Sequence, residues 1–247
     1  EGADASRVQL SSRSGRIDSG QGLEEQSLPL SVQLMASDVG DASDARSLLL
    51  SCGALVGLLQ AAGVTRDRLV RSTSTREFDS VFLPKAFAAS HLSSTSSRLP
   101  MEVFSLFSSM SSTFGTVGQA NYGAANAHLD TLALSRRVIG AVGSSLQIPA
   151  VRGFVMMAVQ PDEVQLKAMG AIMLDEFAVC LGTSLACVRA SGERVQAPLT
   201  TSIAASESIE AQELPHPDDQ PAALWRHNTV QERESAWRAA YTYLACR

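Results

Sequence analysis

The chain has 247 residues, of which 45% are hydrophobic and 18% are charged, and its formal net charge is −5. This length allows one substantial domain with an appendage, and the apolar fraction argues against a chain that is mainly disordered. The acidic residues are scattered and no basic stripe stands out, so nucleic acid is a poor candidate partner. No apolar run approaches the roughly 20 residues that cross a bilayer, and we expect no membrane span.

The four cysteines form no C-x-x-C pair, and no histidine lies near them at zinc-finger spacing: Cys52, Cys180, Cys187 and Cys246. This pattern indicates neither disulfide bonds nor a metal site. The first residues also lack the basic and then apolar character of a signal peptide. Together these features predict a reducing, cytoplasmic location.

Strands and helices are predicted to alternate along the first 150 residues. The strands are expected at 7–11, 32–36, 55–59, 103–108 and 144–148, and the helices at 21–26, 41–50, 75–90 and 122–138. Such alternation is typical of parallel βαβ units, in which helices cover both faces of a sheet. Ligands collect at the carboxyl ends of the strands in sheets of this kind.

The composition changes near residue 199, where a stretch rich in Ser, Thr and Ala precedes three prolines between residues 215 and 221. This stretch is typical of a linker. Residues 231–244 are predicted to form a helix with Trp237, Tyr241 and Leu244 on one face. We therefore expect a domain over residues 1–200, followed by a linker and a terminal helix over 201–247.

Three side chains form a candidate catalytic group. Ser109 ends a predicted strand, Tyr122 begins a long helix, and Asn126 lies one helical turn after the tyrosine. Two hydroxyl groups that converge on a carbonyl oxygen can polarise it, and the tyrosine can then protonate the developing alkoxide. The reference pKa of a phenol is about 10, so efficient proton transfer near neutral pH calls for a nearby cation.

Lys85 is the best candidate for that cation. Lys85 and Lys167 are the only lysines of the chain, and Lys85 follows Pro84 in a predicted helix. One βα crossover would bring this helix to the sheet edge that carries Tyr122.

These residues belong to a set of motifs that resembles the ketoreductase domains of modular polyketide synthases, a branch of the extended short-chain dehydrogenases. The motifs span 11–15, 37–39, 61–64, 82–86, 107–109 and 118–130, and the resemblance covers roughly residues 6 to 200. Ordinary short-chain dehydrogenases place the lysine four residues after the tyrosine, whereas polyketide ketoreductases have an asparagine there. Asn126 and the upstream Lys85 show the polyketide arrangement.

The resemblance implies a role for each catalytic candidate. Tyr122 would donate the proton, Ser109 would hold the ketone oxygen, and Lys85 would lower the pKa of the tyrosine and contact the nicotinamide ribose. Asn126 would support the lysine and a water in the proton relay. The substrate implied is a 3-oxoacyl thioester on the phosphopantetheine arm of an acyl carrier protein, within a synthase that supplies the neighbouring domains.

The resemblance also implies NADPH as the cofactor. Ser12 and Arg13 would meet its 2′-phosphate, since NADH sites usually carry an acidic residue there. Asp38 and Val39 would flank the adenine. The last three cofactor candidates would pass close to the ribose: Ala61, Ala62 and Gly63.

The family's glycine-rich pyrophosphate loop precedes the position at which Gly2 aligns. We therefore expect an α/β fold with a Rossmann-like, doubly wound parallel sheet that lacks its first strand and the glycine-rich loop. This departure keeps a second hypothesis open, a non-catalytic ketoreductase remnant that acts as a structural module. A third is a free-standing short-chain dehydrogenase.

The resemblance also bears on the configuration of the product. Ketoreductases of one class carry a Leu-Asp-Asp motif shortly after the Ala-Ala-Gly segment, and Asp67 is the one acid kept at the aligned positions 65–67. The tryptophan that marks the opposite class is replaced by Phe114. The resemblance therefore favours the class that gives a hydroxyl of D configuration.

Overall fold

A computed structural model describes residues 7–16, 31–152, 162–190, 200–202 and 242–246. The strands in these ranges are β1 (Arg7–Ser12), β2 (Ser31–Ala36), β3 (Leu55–Gln60), β4 (Val103–Ser109), β5 (Ser144–Ile148), β6 (Thr200–Ser202) and β7 (Thr242–Cys246). The helices are α1 (Ala42–Ser51), α2 (Thr75–Phe82), α3 (Ala88–Thr95), α4 (Ser111–Phe114), α5 (Ala120–Val138), α6 (Glu163–Ala168) and α7 (Leu174–Ala190). A 3₁₀ turn (Val70–Ser72) precedes α2, and a π-helical segment (Leu83–Phe87) joins α2 to α3.

The strands form one sheet in the order β2-β1-β7-β3-β4-β5-β6. The neighbours pair in parallel everywhere except at β7, which is antiparallel to both β1 and β3. Between β3 and β4 the chain passes through α2 and α3, and between β4 and β5 it passes through α5, as βαβ connections require. The expected α/β class and doubly wound sheet are confirmed.

Helices cover both faces of the sheet. On one face the core joins fully buried side chains of α1, β3, β4 and α5, among them Leu48, Leu58, Phe104 and Leu129. Side chains alternate along a strand, so Phe107 of β4 points away from that core. Its ring lies 6.0 Å from the ring of Phe177 in α7 on the opposite face.

Two helices begin at the caps that their sequences favour. Asp41 accepts hydrogen bonds from the hydroxyl of Ser43 and from the backbone N–H groups of Ser43 and Asp44. These bonds lower the pKa of the Asp41 carboxyl, and the bond from the Ser43 hydroxyl has the largest effect. Ser74 and Glu77 form a reciprocal capping box at the start of α2. Helix α2 then continues into the segment that carries Lys85, and so helps to position the candidate site.

The central strand β7 corrects the expectation of a helix over residues 231–244. Residues 231–241 lie outside the described ranges, but Thr242 to Leu244 belong to β7. The sheet offers this segment backbone hydrogen-bond partners on both sides, and Thr and Tyr suit an extended backbone. Tertiary pairing therefore decides the conformation over the helical spacing of the sequence.

Two more expectations concern the remainder of the chain. The helix at 21–26 and most of the linker fall outside the described residues, so the domain boundary at residue 200 stays a prediction.

The expectation of no disulfide is wrong, because the buried Cys52 is disulfide-bonded. Spacing along a sequence cannot reveal cysteines that folding brings together from a distance. Among the helices described, none is both long and apolar enough to cross a membrane.

Candidate active site

The four catalytic candidates come from three neighbouring elements. Ser109 is the last residue of β4, while Tyr122 and Asn126 lie in the first turns of α5. Lys85 lies in the π-helical segment, where the N–H of Ala88 reaches the carbonyl of Leu83. Pro84 has no N–H to donate, and π-helical insertions of this kind are frequent at functional sites.

Lys85 is buried, with 3% of its surface exposed. Its ammonium donates a hydrogen bond of 2.8 Å to the carbonyl oxygen of Phe107 on β4 and lies 5.3 Å from the centre of the Tyr122 ring. Burial lowers the pKa of Lys85 to about 8, and the carboxylate of Asp130 acts in the opposite direction. The lysine is thus held between the strand end and the tyrosine, where it stays largely protonated at neutral pH.

The absence of a side chain at Gly63 makes room for the ammonium group of Lys85. A Cβ atom at this position would lie 3.2 Å from the lysine Nζ, which is closer than an ordinary contact. The backbone that follows β3 therefore runs directly against the ammonium group. A residue with a side chain would force the lysine to move.

Tyr122 and its partners form the other half of the site. The side-chain amide of Asn126 donates a hydrogen bond of 2.8 Å to the Tyr122 carbonyl, and its own oxygen is buried without a partner in the described structure. Burial raises the pKa of the Tyr122 phenol, while the side chains of Asn126 and Ser109 lower it. All four candidates are therefore brought together.

The pKa of the Tyr122 phenol is raised, whereas the sequence analysis expected Lys85 to lower it. Burial removes the phenolate from water and dominates. The lysine ammonium is directed at the Phe107 carbonyl and is itself desolvated. The expected role of Lys85 in lowering this pKa therefore stays a prediction for the substrate-bound site.

A cleft at the carboxyl ends of β1 and β2 gathers most of the cofactor candidates. It is shallow and open, and nine residues line it: Ser11, Ser12, Arg13, Ser37, Asp38, Val39, Ala62, Val64 and Pro84. Ser12, Arg13, Asp38, Val39 and Ala62 are among the residues expected from the sequence. Ala61 and Gly63 follow β3 at the same edge without lining the cleft, and Gly63 faces the lysine instead.

The chemistry of this cleft suits the adenosine end of a dinucleotide. Arg13 supplies a cation for a phosphate group, and the neighbouring Ser12 supplies a hydroxyl. The Ser11 hydroxyl oxygen is buried in the cleft wall and has no hydrogen-bond partner among the described residues. Such an orphaned group fits a site that a polar ligand completes.

The diphosphate portion of a dinucleotide fits less well. In Rossmann-like sheets a helix N-terminus after a central parallel strand binds it. Here β7 runs in the opposite direction, and Thr242 at its start lies beside Ser11 and Gln60. Within the described ranges, no helix therefore begins at the carboxyl edge of this central position. Nor do those ranges contain a cluster of three metal-binding side chains.

Four residues of the cleft wall lie within the sequence motifs but were not assigned a cofactor role from the sequence: Ser11, Ser37, Val64 and Pro84. Ser11 is the last but one residue of β1 and Ser37 follows β2, so the rule that ligands lie at strand ends could have found them. Asp130 lies in the middle of α5, where its carboxylate accepts hydrogen bonds from three neutral side chains.

Known proteins resemble this chain in sequence. The family model described as KR domain matches residues 2–153. Over 115 residues the chain is 44% identical to polyketide synthase GfsA of Streptomyces halstedii, which covers 45% of this chain and 2% of that protein. Over 120 residues it is 42% identical to the spectinabilin polyketide synthase system protein NorB of Streptomyces orinoci, covering 47% of this chain and 6% of that one.

Solved structures show the same relationship. A ketoreductase domain from the bacillaene assembly line aligns with a TM-score of 0.64 and 28% identity, covering 72% of this chain and 46% of that one. A structure of A-type ketoreductases from a modular polyketide synthase aligns with a TM-score of 0.64 and 29% identity, covering 73% and 40%. The chain thus spans less than half of these solved proteins. Since the family model covers more than half of the chain, this protein belongs to the KR family, the ketoreductase domains of polyketide synthases.

Proposed function

We propose that this chain is a β-ketoacyl reductase that takes hydride from NADPH and reduces the 3-oxo group of a thioester carried by an acyl carrier protein. The observation that carries the proposal is the Lys85 ammonium 5.3 Å from the Tyr122 ring, together with the Ser109 and Asn126 side chains that lower the pKa of the phenol. This constellation suits the polarisation and protonation of a ketone oxygen.

The residues of the chain have separate tasks in this reaction. The bound cofactor supplies the hydride that is added to the carbonyl carbon. The Ser109 and Tyr122 hydroxyls hold the carbonyl oxygen, and the proton of the phenol passes to that oxygen, which gives an alcohol and leaves a phenolate at Tyr122. The nearby Lys85 favours that phenolate, because an opposite charge within about 6 Å stabilises the ionised form.

Membership of the KR family implies a nicotinamide cofactor, and NADPH is the form that we propose. Arg13 in the cleft supports this choice, since a guanidinium group binds a phosphate in a bidentate manner. Ser12 adds a hydroxyl, and we assign Asp38 and Val39, which line the same cleft, to the adenine side. Ala61, Ala62 and Gly63 form the backbone that we assign to the ribose side.

The surroundings of the reaction are also proposals. We place the protein in the cytoplasm, next to other domains of a polyketide synthase, and the acyl chain would arrive on phosphopantetheine. For the product we propose the D-hydroxyl class on the basis of Asp67, whose carboxylate accepts a hydrogen bond of 2.9 Å from Gln119, three residues before Tyr122. Chiral separation of the reduced product tests that configuration.

One observation favours the alternative of a non-catalytic module. The antiparallel β7 lies between β1 and β3, so no described helix begins at the carboxyl edge of the sheet at this position to bind the cofactor diphosphate. A free-standing dehydrogenase is a weaker alternative, because Asn126 and Lys85 have the arrangement of the polyketide family.

A binding and turnover experiment separates these functions. NADPH is titrated against the purified chain by fluorescence, and its oxidation is followed with a 3-oxoacyl thioester and, in parallel, with a small cyclic ketone. Binding together with preference for the thioester supports the proposal. Absence of NADPH binding at millimolar concentration would support the structural module, and preference for the small ketone would support the free-standing enzyme.

A further inference from the structure

Asp130 joins three parts of the structure that surround the candidate site. It lies on α5, eight residues after Tyr122, which places it about 12 Å further along the helix. Its carboxylate accepts hydrogen bonds from Ser112 of α4 at 2.7 Å, from Gln147 of β5 at 2.9 Å, and from Ser145 of β5. The helix that carries the tyrosine is thereby bonded to both α4 and β5.

Ser112 lies in the turn that follows Ser109. The Ser112 hydroxyl lies 2.9 Å from the carbonyl oxygen of Ser109 and 2.7 Å from the Asp130 carboxylate. A hydroxyl has one proton to donate, and the carboxylate is the stronger acceptor. The Ser112 proton therefore goes to Asp130, and Asp130 holds the turn after Ser109 through the backbone of Ser112 rather than through a hydrogen bond to the Ser109 carbonyl.

Gln147 completes the same network. Its amide nitrogen donates to Asp130 and, at 3.1 Å, to the Ser112 oxygen, while its amide oxygen accepts from Thr113 at 3.2 Å. The first turn of α4 is thus held at two consecutive residues. Within the same turn, the N–H of Ser111 donates a hydrogen bond of 3.2 Å to the hydroxyl of Ser109.

We propose that Asp130 is a positioning residue that aligns the Ser109 hydroxyl with the Tyr122 phenol through Ser112 and Gln147. The inference rests on the proposed function. In the described structure Asp130 forms no ion pair, and each of its bonds goes to a neutral donor attached to the backbone around the site. An error of about 1 Å in the position of a reacting group can lower a rate roughly 100-fold.

The test compares Asp130→Asn with Asp79→Asn, which removes an exposed carboxylate of α2. We expect the Asp130 variant to lower kcat about 10- to 100-fold while KM for NADPH stays within about twofold. The Asp79 variant should match the wild type in both. Equal kcat values for the two variants, or a rise in KM alone, would overturn the positioning role.

A double-mutant cycle with Ser112→Ala keeps the proposal testable if Asp130→Asn folds poorly. Ser112→Ala alone should lower kcat, and the double variant should be no slower than the worse single variant, because the two residues act through one path. Independent effects that multiply would contradict the proposal, as would a Ser112→Ala variant with the wild-type kcat.

Hydrogen exchange separates the failure of this inference from the failure of the proposed function. If the wild-type chain reduces no ketone, the amide of Ser111 still reports the turn. Under the proposal, Asp130→Asn and Ser112→Ala both speed its exchange, while amides in the centre of α5 keep their rates. Unchanged exchange at Ser111 in both variants would overturn the positioning role whatever the activity.

Discussion

The ammonium of Lys85 donates a hydrogen bond of 2.8 Å to the carbonyl oxygen of Phe107, at the end of the strand that carries Ser109. The bond fixes a buried cation beside Tyr122 without an ion-pair partner among the described residues. Such a placement costs folding free energy, since burial disfavours the charged form. A costly buried charge beside hydroxyl groups is typical of a functional site.

This cost predicts how stability depends on pH. The pKa of Lys85 is about 8 in the folded chain and 10.5 in the unfolded chain, so the folded state binds fewer protons between these values. The free energy of unfolding should therefore rise with pH in this window, by roughly 2 kcal/mol between pH 8 and 9.5 relative to Lys85→Met. Urea unfolding of both proteins across that range measures the difference, and parallel pH profiles would contradict it.

Gly63 provides a second prediction, because its missing side chain makes room for Lys85. Gly63→Ala should lower the free energy of unfolding by about 1–3 kcal/mol, since the new Cβ would lie 3.2 Å from the lysine Nζ. Gly182→Ala is the control, because a Cβ at this helical position would meet nothing within 4 Å apart from its chain neighbours and the backbone of its own helix. The control should gain about 0.5–1 kcal/mol. Thermal unfolding that shows both variants stabilised would refute the steric role of Gly63.

The position of β7 in the sheet predicts slow hydrogen exchange. Its backbone pairs with β1 on one side and β3 on the other, so its amides should exchange only on global unfolding. Mass spectrometry of peptides that cover residues 242–246 measures this in the intact chain. Exchange as fast as that of the edge strand β2 would show that the centre of the sheet is held in another way.

Features that depend on contacts between residues close in sequence could be predicted, whereas features that depend on contacts between distant residues could not. Helix α5 and its Tyr122–Asn126 pair were predictable, because helical spacing is local, and the expected strands lie within a residue or two of those observed. The antiparallel β7 was not predictable, since its partners lie more than 180 residues away along the chain. Local spacing favoured a helix there, and sheet pairing prevailed.

The candidate site shows the same difference between local motifs and contacts that form only on folding. The positions of Lys85 and Ser109 followed from motifs that the sequence displays directly. The roles of Gly63 and Asp130 depend on which side chains meet after folding, namely the lysine Nζ for the glycine, and Ser112, Ser145 and Gln147 for the aspartate. No spacing along the chain encodes those contacts.

Comparison of the wild type with Tyr122→Phe tests the central claim most directly. The substitution removes only the hydroxyl that we assign as the proton donor, while the ring can keep its contacts with Ala125 and its neighbours in the core. With NADPH and a 3-oxoacyl thioester, the account predicts that kcat falls at least about 100-fold and NADPH affinity stays within about twofold. Reduction by Tyr122→Phe at the wild-type rate would contradict the account.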